Sequence, residues 1–281
     1  MAINKVFVMG AGVMGNGIAQ VSAGAGYNVT LMDVKKEFLN KALTGIEKNL
    51  DRQIKKGNIQ EGEKKDIMHR IKTTREMQDA QEADLVIEAI PEVPELKYST
   101  FRELDKICPK HTILASNTST LPITATAAAT NRQSQVIGIH FMNPVPVMKG
   151  VEIIPGRHTS PETLQTSTDF VVSLGKEPCE AVDYAGFIVS RLIDALVNEA
   201  ARCVMDGNKA EEVDKVMRLC CNFPMGPLEL CDLAGADIAL HGLETLHKEF
   251  GERFRPAPIL RSMVRSGDLG RKTGRGFYHY T

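Results

Sequence analysis

Residues 5–33 read KVFVMGAGVMGNGIAQVSAGAGYNVTLMD, and this stretch decides the fold. The apolar run Lys5–Met9 ends at a group of glycines, and a helical pattern from Val13 to Ala25 follows and stops at Gly26. A second apolar run, Asn28–Asp33, comes next. Strand, tight turn, helix and strand within about thirty residues are typical of the β-α-β unit of a parallel sheet. The sequence therefore predicts an α/β domain in this part of the chain.

The alternation of strand and helix patterns continues to about residue 183, with one interruption. Apolar residues at helical spacing predict two consecutive charged helices, Lys36–Lys56 and Glu61–Ile71, which form a hairpin inserted into the sheet domain. The remaining patterns predict the strands Leu85–Glu88, Thr112–Ala115, Val136–His140 and Val151–Pro155 and the helices Pro94–Lys106 and Pro161–Leu174. From Phe187 onward, the apolar spacing is helical almost throughout.

These patterns predict two domains with a boundary between Asp183 and Gly186. Residues 1–183 should form a Rossmann-type, doubly wound α/β sheet with the helical hairpin as an insertion, and residues 184–281 an all-α domain. A length of 281 residues suits two domains, and 43% hydrophobic residues supply enough apolar material for both cores.

The composition narrows the class of protein. The formal net charge is -1, so the whole chain lacks the basic surplus typical of proteins that bind nucleic acid. It contains no run of eighteen apolar residues and no secretory signal pattern, which predicts a cytoplasmic protein without membrane spans. No cysteine spacing fits a redox motif or a zinc site, so we expect reduced thiols and no metal. The six cysteines are Cys108, Cys179, Cys203, Cys220, Cys221 and Cys231.

The glycines after the first strand have the spacing of a dinucleotide-binding loop. Gly10-Ala11-Gly12-Val13-Met14-Gly15 is a G-x-G-x-x-G that follows a strand and opens a helix, and Asp33 ends the next strand. In this pattern the first glycine allows the turn, the second lets the backbone approach the pyrophosphate, and the third lets helix and strand pack closely. A carboxylate at Asp33 binds the ribose hydroxyls and repels a 2′-phosphate. Lys35 and Lys36 reduce that repulsion, so NAD is the expected cofactor and NADP the alternative.

Two further segments place polar residues at the carboxyl ends of predicted strands. Residues 115–121 read ASNTSTL, and residues 139–148 read IHFMNPVPVM with Glu152 shortly after. In an open α/β sheet, ligands lie beyond the carboxyl ends of the strands, so Ser116–Ser119 and His140 should project into the cofactor cleft. The prolines stop the strand after His140, and the chain turns and returns with Glu152 beside that histidine.

A histidine paired with a carboxylate has a fixed tautomer and is a better base, which oxidation of an alcohol requires. The alternative interpretation is a buried histidine that merely satisfies a neighbouring carboxylate. Ser119, Asn143 and the dinucleotide loop in the same cleft favour the catalytic interpretation for His140. The six other histidines have no such neighbours in the sequence and are interpreted as surface or structural residues.

Four segments together resemble the 3-hydroxyacyl-CoA dehydrogenase family, including its bacterial members that act on 3-hydroxybutyryl-CoA. They read ASNTSTLPIT at 115–124, GIHFMNPVPVMKGVEII at 138–154, FPMGPLELCDLAG at 223–235 and GRKTGRGFY at 270–278. The resemblance extends over essentially the whole chain. It implies interconversion of an (S)-3-hydroxyacyl-CoA and the 3-ketoacyl-CoA with NAD, and a homodimer formed through the C-terminal helices.

The resemblance also implies roles for individual residues of the catalytic set. His140 resembles the family's catalytic base and Glu152 the partner of that base. Ser119 resembles the serine that contacts the C3 oxygen of the substrate, and Asn143 resembles an asparagine that lines the site.

For the binding regions, the resemblance implies a second set of roles. Glu92 and Lys97 resemble residues near the nicotinamide half of the cofactor, and Asn117 belongs to the same cofactor-binding group. Lys55 and Lys56, at the tip of the helical hairpin, resemble the region that meets the nucleotide of CoA.

The chain departs from the family pattern at two positions. The family usually reads PGFIVNRL at the domain junction, where this chain reads AGFIVSRL at 185–192, with Ser190 in place of the asparagine. A serine hydroxyl donates one hydrogen bond from nearer its own backbone, so we expect Ser190 to serve the active site less well than an amide. The second departure is Asn222, where the family often has glycine.

Two other functions remain open from the residues alone. One is a related dehydrogenase of a free hydroxy acid, which needs the same fold and the same His–Glu pair but no CoA site on the hairpin. The other is an NAD-binding protein without catalysis, an interpretation that only Ser190 favours.

Overall fold

The computed structural model describes residues 3–280. They form two compact units that divide between Asp183 and Tyr184. None of the helices in residues 3–280 is both long and apolar enough to cross a membrane. All six cysteines are free thiols, and Cys108 and Cys231 are buried.

An eight-stranded sheet forms the centre of the first unit. Its strands are β1 (Lys5–Met9), β2 (Asn28–Met32), β3 (Ile71–Thr74), β4 (Leu85–Glu88), β5 (Ile113–Ser116), β6 (Val136–Phe141), β7 (Gly150–Pro155) and β8 (Glu177–Glu180). Their order in the sheet is β3-β2-β1-β4-β5-β6-β7-β8. Strands β1 to β6 are parallel, whereas β7 runs antiparallel to β6 and parallel to β8. The carboxyl ends of β1, β4, β5 and β6 therefore share one edge.

Six α-helices accompany the sheet in the described part of this unit. They are α1 (Val13–Gly24), α2 (Lys36–Lys55), α3 (Glu61–Arg70), α4 (Pro94–Ile107), α5 (Ile123–Ala128) and α6 (Pro161–Ser173). The apolar faces of α1, α2 and α6 bury residues such as Ile18, Ile46 and Phe170 in one core with Val8, Leu31 and the other sheet residues on that face. The predicted Rossmann-type sheet and its α2–α3 hairpin are confirmed.

The structure corrects the sequence prediction at two sheet edges. The predicted helix Glu61–Ile71 ends at Arg70, and Ile71 begins β3, of which only Ile71 is buried. Strand β8 has the sequence EPCE and no buried residue. Because an edge strand with few buried positions carries no apolar period, neither strand was predicted. The other predicted strands and helices begin and end within two residues of the observed bounds.

The second unit is helical, as predicted. It contains α7 (Val189–Met205), α8 (Ala210–Cys220), α9 (Pro227–Ala234), α10 (Ala236–Phe250) and α11 (Pro258–Ser266). Its core includes Val197, Cys231, Leu243, Leu246 and Leu260. Asn222 has a φ of +56°. That left-handed conformation favours glycine and tolerates asparagine best among other residues, which explains why asparagine replaces glycine at this turn.

Candidate active site

The dinucleotide loop joins β1 to α1 at the carboxyl edge of the sheet. Gly10 has a φ of +100°, and a Cβ there would lie 2.5 Å from the carbonyl oxygen of Ala89. A Cβ on Gly15 would lie 1.7 Å from the carbonyl oxygen of Gly10, so both positions exclude a side chain. A Cβ on Gly12 would meet no described atom within 4 Å. The backbone at Gly12 is therefore open toward solvent, in front of a helix that no described side chain caps, and this arrangement fits a pyrophosphate.

The remaining residues of the loop and Asp33 complete the nucleotide end of the site. Val13 is exposed and Met14 half-buried at the start of α1. The Asp33 carboxylate accepts hydrogen bonds from the backbone N–H groups of Ala11 at 2.8 Å and of Lys35 at 3.2 Å. It thereby ties the end of β2 to the dinucleotide loop. Each oxygen retains lone-pair capacity for a ribose hydroxyl.

His140 and Glu152 lie directly opposite each other in the antiparallel pair β6–β7. Residues opposite each other in such a pair point to the same face of the sheet, which brings the two side chains together. His140 Nδ1 lies 2.8 Å from Glu152 Oε2, and both residues are buried. Strand β6 ends one residue later, at the same edge as Gly10. The expected proximity of these two residues is present in the structure.

The segment after β5 carries the serine and the asparagine that the sequence singled out. Ser119 is half-buried, and its backbone N–H donates to Glu92 Oε1 at 3.1 Å. The Asn117 side-chain oxygen accepts a hydrogen bond from the backbone N–H of Phe141 at 2.8 Å. Asn117 therefore links the end of β5 to the residue that follows His140. The side-chain oxygen of Asn117 is therefore used within the protein.

An ionic cluster lies beside this segment, and Glu88 is the one member of it that the sequence did not single out. The Glu88–Lys97 cluster consists of Glu88, Glu92, Lys97, Ser116 and Thr118. Lys97 Nζ lies 2.6 Å from Glu88 Oε1 and 3.1 Å from Glu92 Oε2. Burial pushes the pKa of Glu92 upward, but the charge of Lys97 and the hydrogen bond from Thr118 outweigh it, so this pKa lies below its ordinary value.

One sequence signal pointed to the cluster. Glu88 ends the otherwise apolar strand LVIE, and a carboxylate in a buried strand requires a partner.

Among residues 3–280, no group of three or more His, Cys, Asp or Glu side chains is arranged to hold a metal ion.

The loop that follows β6 is fixed by a lysine that the sequence did not single out. Asn143 is exposed at the start of this loop. Lys176 Nζ is buried and donates to the carbonyl oxygens of Val145 and Met148, each at 2.6 Å. Desolvation lowers the pKa of Lys176. The two hydrogen bonds hold the loop that places Asn143 beyond the end of β6.

Three other predicted site residues lie away from the strand ends. Lys55 and Lys56 are exposed at the C-terminal end of α2. Ser190 belongs to the second unit, where it is half-buried in the first turn of α7. The structure thus brings His140, Glu152 and the β5 segment together in the first unit and presents the two lysines on the hairpin.

Comparison with known proteins assigns both units to one family. Residues 5–184 match the family model described as "3-hydroxyacyl-CoA dehydrogenase, NAD binding domain". Residues 186–280 match the model of the "3-hydroxyacyl-CoA dehydrogenase, C-terminal domain". The chain belongs to the 3-hydroxyacyl-CoA dehydrogenase family. The resemblance seen in the four sequence segments is thereby confirmed.

Relatives within this family match over nearly their whole length. A probable 3-hydroxybutyryl-CoA dehydrogenase of Bacillus subtilis (strain 168) is 48% identical over 282 residues, which cover 100% of this chain and 98% of that protein. The 3-hydroxybutyryl-CoA dehydrogenase of Bradyrhizobium diazoefficiens is 43% identical over 99% of this chain and 96% of its own length. This chain also matches the crystal structure of (S)-3-hydroxybutyryl-CoA dehydrogenase from Ralstonia eutropha. The two sequences are 42% identical, the TM-score is 0.94, and the match covers 100% of both chains.

Proposed function

We propose that this chain interconverts an (S)-3-hydroxyacyl-CoA, with 3-hydroxybutyryl-CoA as the expected substrate, and the corresponding 3-ketoacyl-CoA. The observation that carries the proposal is the buried pair of His140 Nδ1 and Glu152 Oε2, 2.8 Å apart, at the sheet edge that also carries the dinucleotide loop. Family membership supports the acyl-CoA class of substrate. The relatives that carry the name 3-hydroxybutyryl-CoA dehydrogenase support the four-carbon acyl group.

His140 acts as the base in this proposal. With Nδ1–H donating to Glu152, the other ring nitrogen Nε2 carries the lone pair that accepts the proton of the substrate's C3 hydroxyl. Glu152 holds the ring in this tautomer and stabilises the imidazolium that forms. NAD, when bound, supplies the acceptor for the hydrogen and the electron pair that leave C3. In the reverse direction, the imidazolium of His140 returns the proton to the C3 oxygen.

Other residues bind and orient the two substrates. The backbone at Gly12 and the first turn of α1 hold the pyrophosphate, and Asp33 holds the adenosine ribose, which favours NAD over NADP. Ser119 binds the C3 oxygen, and hydrogen bonds to Glu92 and from Phe141 hold the segment that carries this half-buried residue. Glu92 and Asn143 line the nicotinamide side of the cleft.

Lys55 and Lys56 bind the nucleotide of CoA in this proposal. Both side chains are exposed at the tip of the α2–α3 hairpin, where two ammonium groups attract the phosphates of a CoA tail. This assignment separates the proposed activity from that of a dehydrogenase of free hydroxy acids, which would not use these lysines.

We also propose that the chain forms a homodimer through its C-terminal helices. Several large apolar side chains of α7 and α8 remain exposed in the second unit, more than scattered surface residues would supply. They include Leu192, Met205, Val216 and Leu219. A monomer in light scattering at micromolar concentration would contradict this assembly.

A steady-state assay tests the proposed activity. Acetoacetyl-CoA and free acetoacetate are compared as substrates, each with NADH and with NADPH. We expect rapid loss of NADH with acetoacetyl-CoA only, and a smaller rate with NADPH. Equal rates with the free acid would indicate the free hydroxy-acid dehydrogenase, and NADH binding without turnover of either substrate would indicate a protein without catalysis.

A further inference from the structure

Glu88 is a fully buried carboxylate whose hydrogen bonds are all made inside the protein. It is the last residue of β4, and its exposed fraction is 0%. Oε1 accepts from Lys97 Nζ at 2.6 Å and from the backbone N–H of Ile90 at 2.8 Å, and Oε2 accepts from Ser116 Oγ at 2.7 Å. The carboxylate therefore joins the ends of β4 and β5 to helix α4. It has no direct route to a ligand, so any part that it takes in function is indirect.

Lys97 transmits the position of Glu88 to Glu92. Its ammonium group donates to Glu88 Oε1, to the carbonyl oxygen of Ile90 at 3.3 Å, and lies 3.1 Å from Glu92 Oε2. These three contacts use all three N–H bonds of the ammonium group. With an exposed fraction of 1%, Lys97 is not available to solvent. Glu88 therefore fixes the position of the Lys97 ammonium group, and that group in turn fixes the position of Glu92.

Glu92 in turn holds the backbone of the segment that carries Ser119. Its Oε1 accepts from the backbone N–H groups of Ser119 at 3.1 Å and Thr120 at 3.2 Å, and from the hydroxyls of Thr118 and Thr120. Ser116, bonded to Glu88, accepts from the backbone N–H of Thr118 at 3.2 Å. Glu88 and Glu92 therefore both hold the five-residue segment 116–120 through hydrogen bonds.

The cluster also borders the dinucleotide loop and the histidine strand. The backbone after Glu88 lies against Gly10, since a Cβ on Gly10 would meet the Ala89 carbonyl. The carbonyl oxygen of Glu88 accepts from the backbone N–H of Asn117 at 2.8 Å, and the Asn117 side chain binds the residue next to His140. A buried ion pair is weak evidence for a role in stability, because apolar residues of similar size often stabilise a core as well or better.

We propose that Glu88 is a positioning residue of the active site, which acts through Lys97 and Ser116 to hold Glu92 and Ser119 in their working places. The inference rests on the proposed function, in which Glu92 lines the cofactor cleft and Ser119 binds the C3 oxygen. It assigns a part in the reaction to a residue that touches neither substrate nor cofactor.

The substitution Glu88→Gln tests this inference, because it keeps the shape of the side chain and removes its charge. We expect the dissociation constant of NADH, measured by fluorescence titration, to rise about fivefold or more, and kcat/KM with acetoacetyl-CoA to fall about tenfold. In a Ser119→Ala background, Glu88→Gln should lower kcat/KM by less than about threefold, because the segment that it positions has already lost its hydroxyl.

Asp105→Asn is the matched control. Asp105 lies in the same unit in a similarly shielded ion pair, 2.7 Å from Arg132 Nε, and takes no part in the proposed site. It should lower the melting temperature while the NADH dissociation constant and kcat/KM stay near those of the wild type. Should Glu88→Gln fail to fold, Ser116→Ala removes one of the Glu88 hydrogen bonds and is expected to shift both quantities in the same direction, about twofold to threefold.

An unchanged NADH dissociation constant in Glu88→Gln, or losses that simply multiply with those of Ser119→Ala, would overturn the inference and leave Glu88 a structural residue. Failure of the proposed function is a different result. In that case the wild type binds NADH without reducing acetoacetyl-CoA, and the NADH titrations of Glu88→Gln and Asp105→Asn still decide whether Glu88 positions the cofactor cleft.

Discussion

The β6–β7 pair and the Glu88–Lys97 cluster place buried carboxylates at the same sheet edge by different means. In the first, the strand register sets His140 opposite Glu152, and His140 Nδ1 lies 2.8 Å from Glu152 Oε2. In the second, residues from β4, α4 and β5 meet only because each side chain finds hydrogen-bond partners on another element. Backbone pairing is therefore enough to bring the proposed catalytic pair together, whereas its surroundings depend on side-chain complementarity.

The substitution His140→Ala should cause the largest loss, because it removes the proposed base. We expect kcat to fall by a factor of about 100 to 10,000, the usual effect of losing a general base. NADH affinity should remain near that of the wild type, because the dinucleotide loop is untouched. Steady-state kinetics and a fluorescence titration check the two parts, and near-full activity would exclude His140 from the mechanism.

Glu152→Gln should cost less, on the order of tenfold to a hundredfold in kcat. The amide can still orient the ring but cannot stabilise the imidazolium as the proton moves. The loss should appear in kcat rather than in the NADH dissociation constant, because the dinucleotide loop is untouched. Wild-type turnover in this variant would show that the carboxylate is only a structural partner of His140.

The substitution Glu92→Gln tests how much the Glu88–Lys97 cluster contributes to the free energy of unfolding. Because the pKa of Glu92 is held below its ordinary value, its ionised form stabilises the folded state above that ordinary value of 4.5, and the contribution is lost as pH falls through the lower folded pKa. Above pH 6 we expect the variant to be less stable by on the order of 1 to 3 kcal/mol, the range for a hydrogen bond to a charged group. Urea unfolding from about pH 3 to about pH 8, a range that spans the titration of a carboxyl group, should show that the difference in unfolding free energy between variant and wild type shrinks in acid. A difference that does not change with pH would contradict this prediction.

Ser190→Asn should have the smallest effect of the four, and in the favourable direction. An asparagine amide reaches further than the serine hydroxyl and supplies the donor that the family usually has at this position. One added hydrogen bond corresponds to about tenfold in kcat/KM with acetoacetyl-CoA. A loss of activity in this variant would indicate a pocket built around serine and a natural substrate other than the four-carbon thioester.

The sequence predicted that Glu152 lies beside His140, but it did not predict Glu88 or the contacts that join the Glu88–Lys97 cluster. The dinucleotide loop, the six strands other than β3 and β8, and the turn after His140 all follow from local patterns of glycine, apolar residues and proline. Glu88 and Ser116 lie 28 positions apart and meet only through the order of β4 and β5 in the sheet. Lys176 likewise binds carbonyl groups 28 and 31 positions earlier. No local period encodes such contacts.

The edges of the sheet were unpredictable for a different reason. Strand β3 has one buried residue and β8 has none, so neither shows the apolar alternation that marks a strand. The pairing of β8 with β7 nevertheless matters for the site, because Glu152 pairs with Cys179 across it. Strand β8 therefore supports β7, which carries Glu152, although the sequence of β8 shows no strand pattern.

A double-mutant cycle on kcat tests most directly whether His140 and Glu152 act as one unit. Wild type, His140→Ala, Glu152→Gln and the double variant are compared with acetoacetyl-CoA and NADH at saturation. We expect Glu152→Gln to cost almost nothing in kcat once His140 is alanine, since the carboxylate works only through the ring. Losses that multiply in the double variant would contradict it and assign Glu152 a separate role.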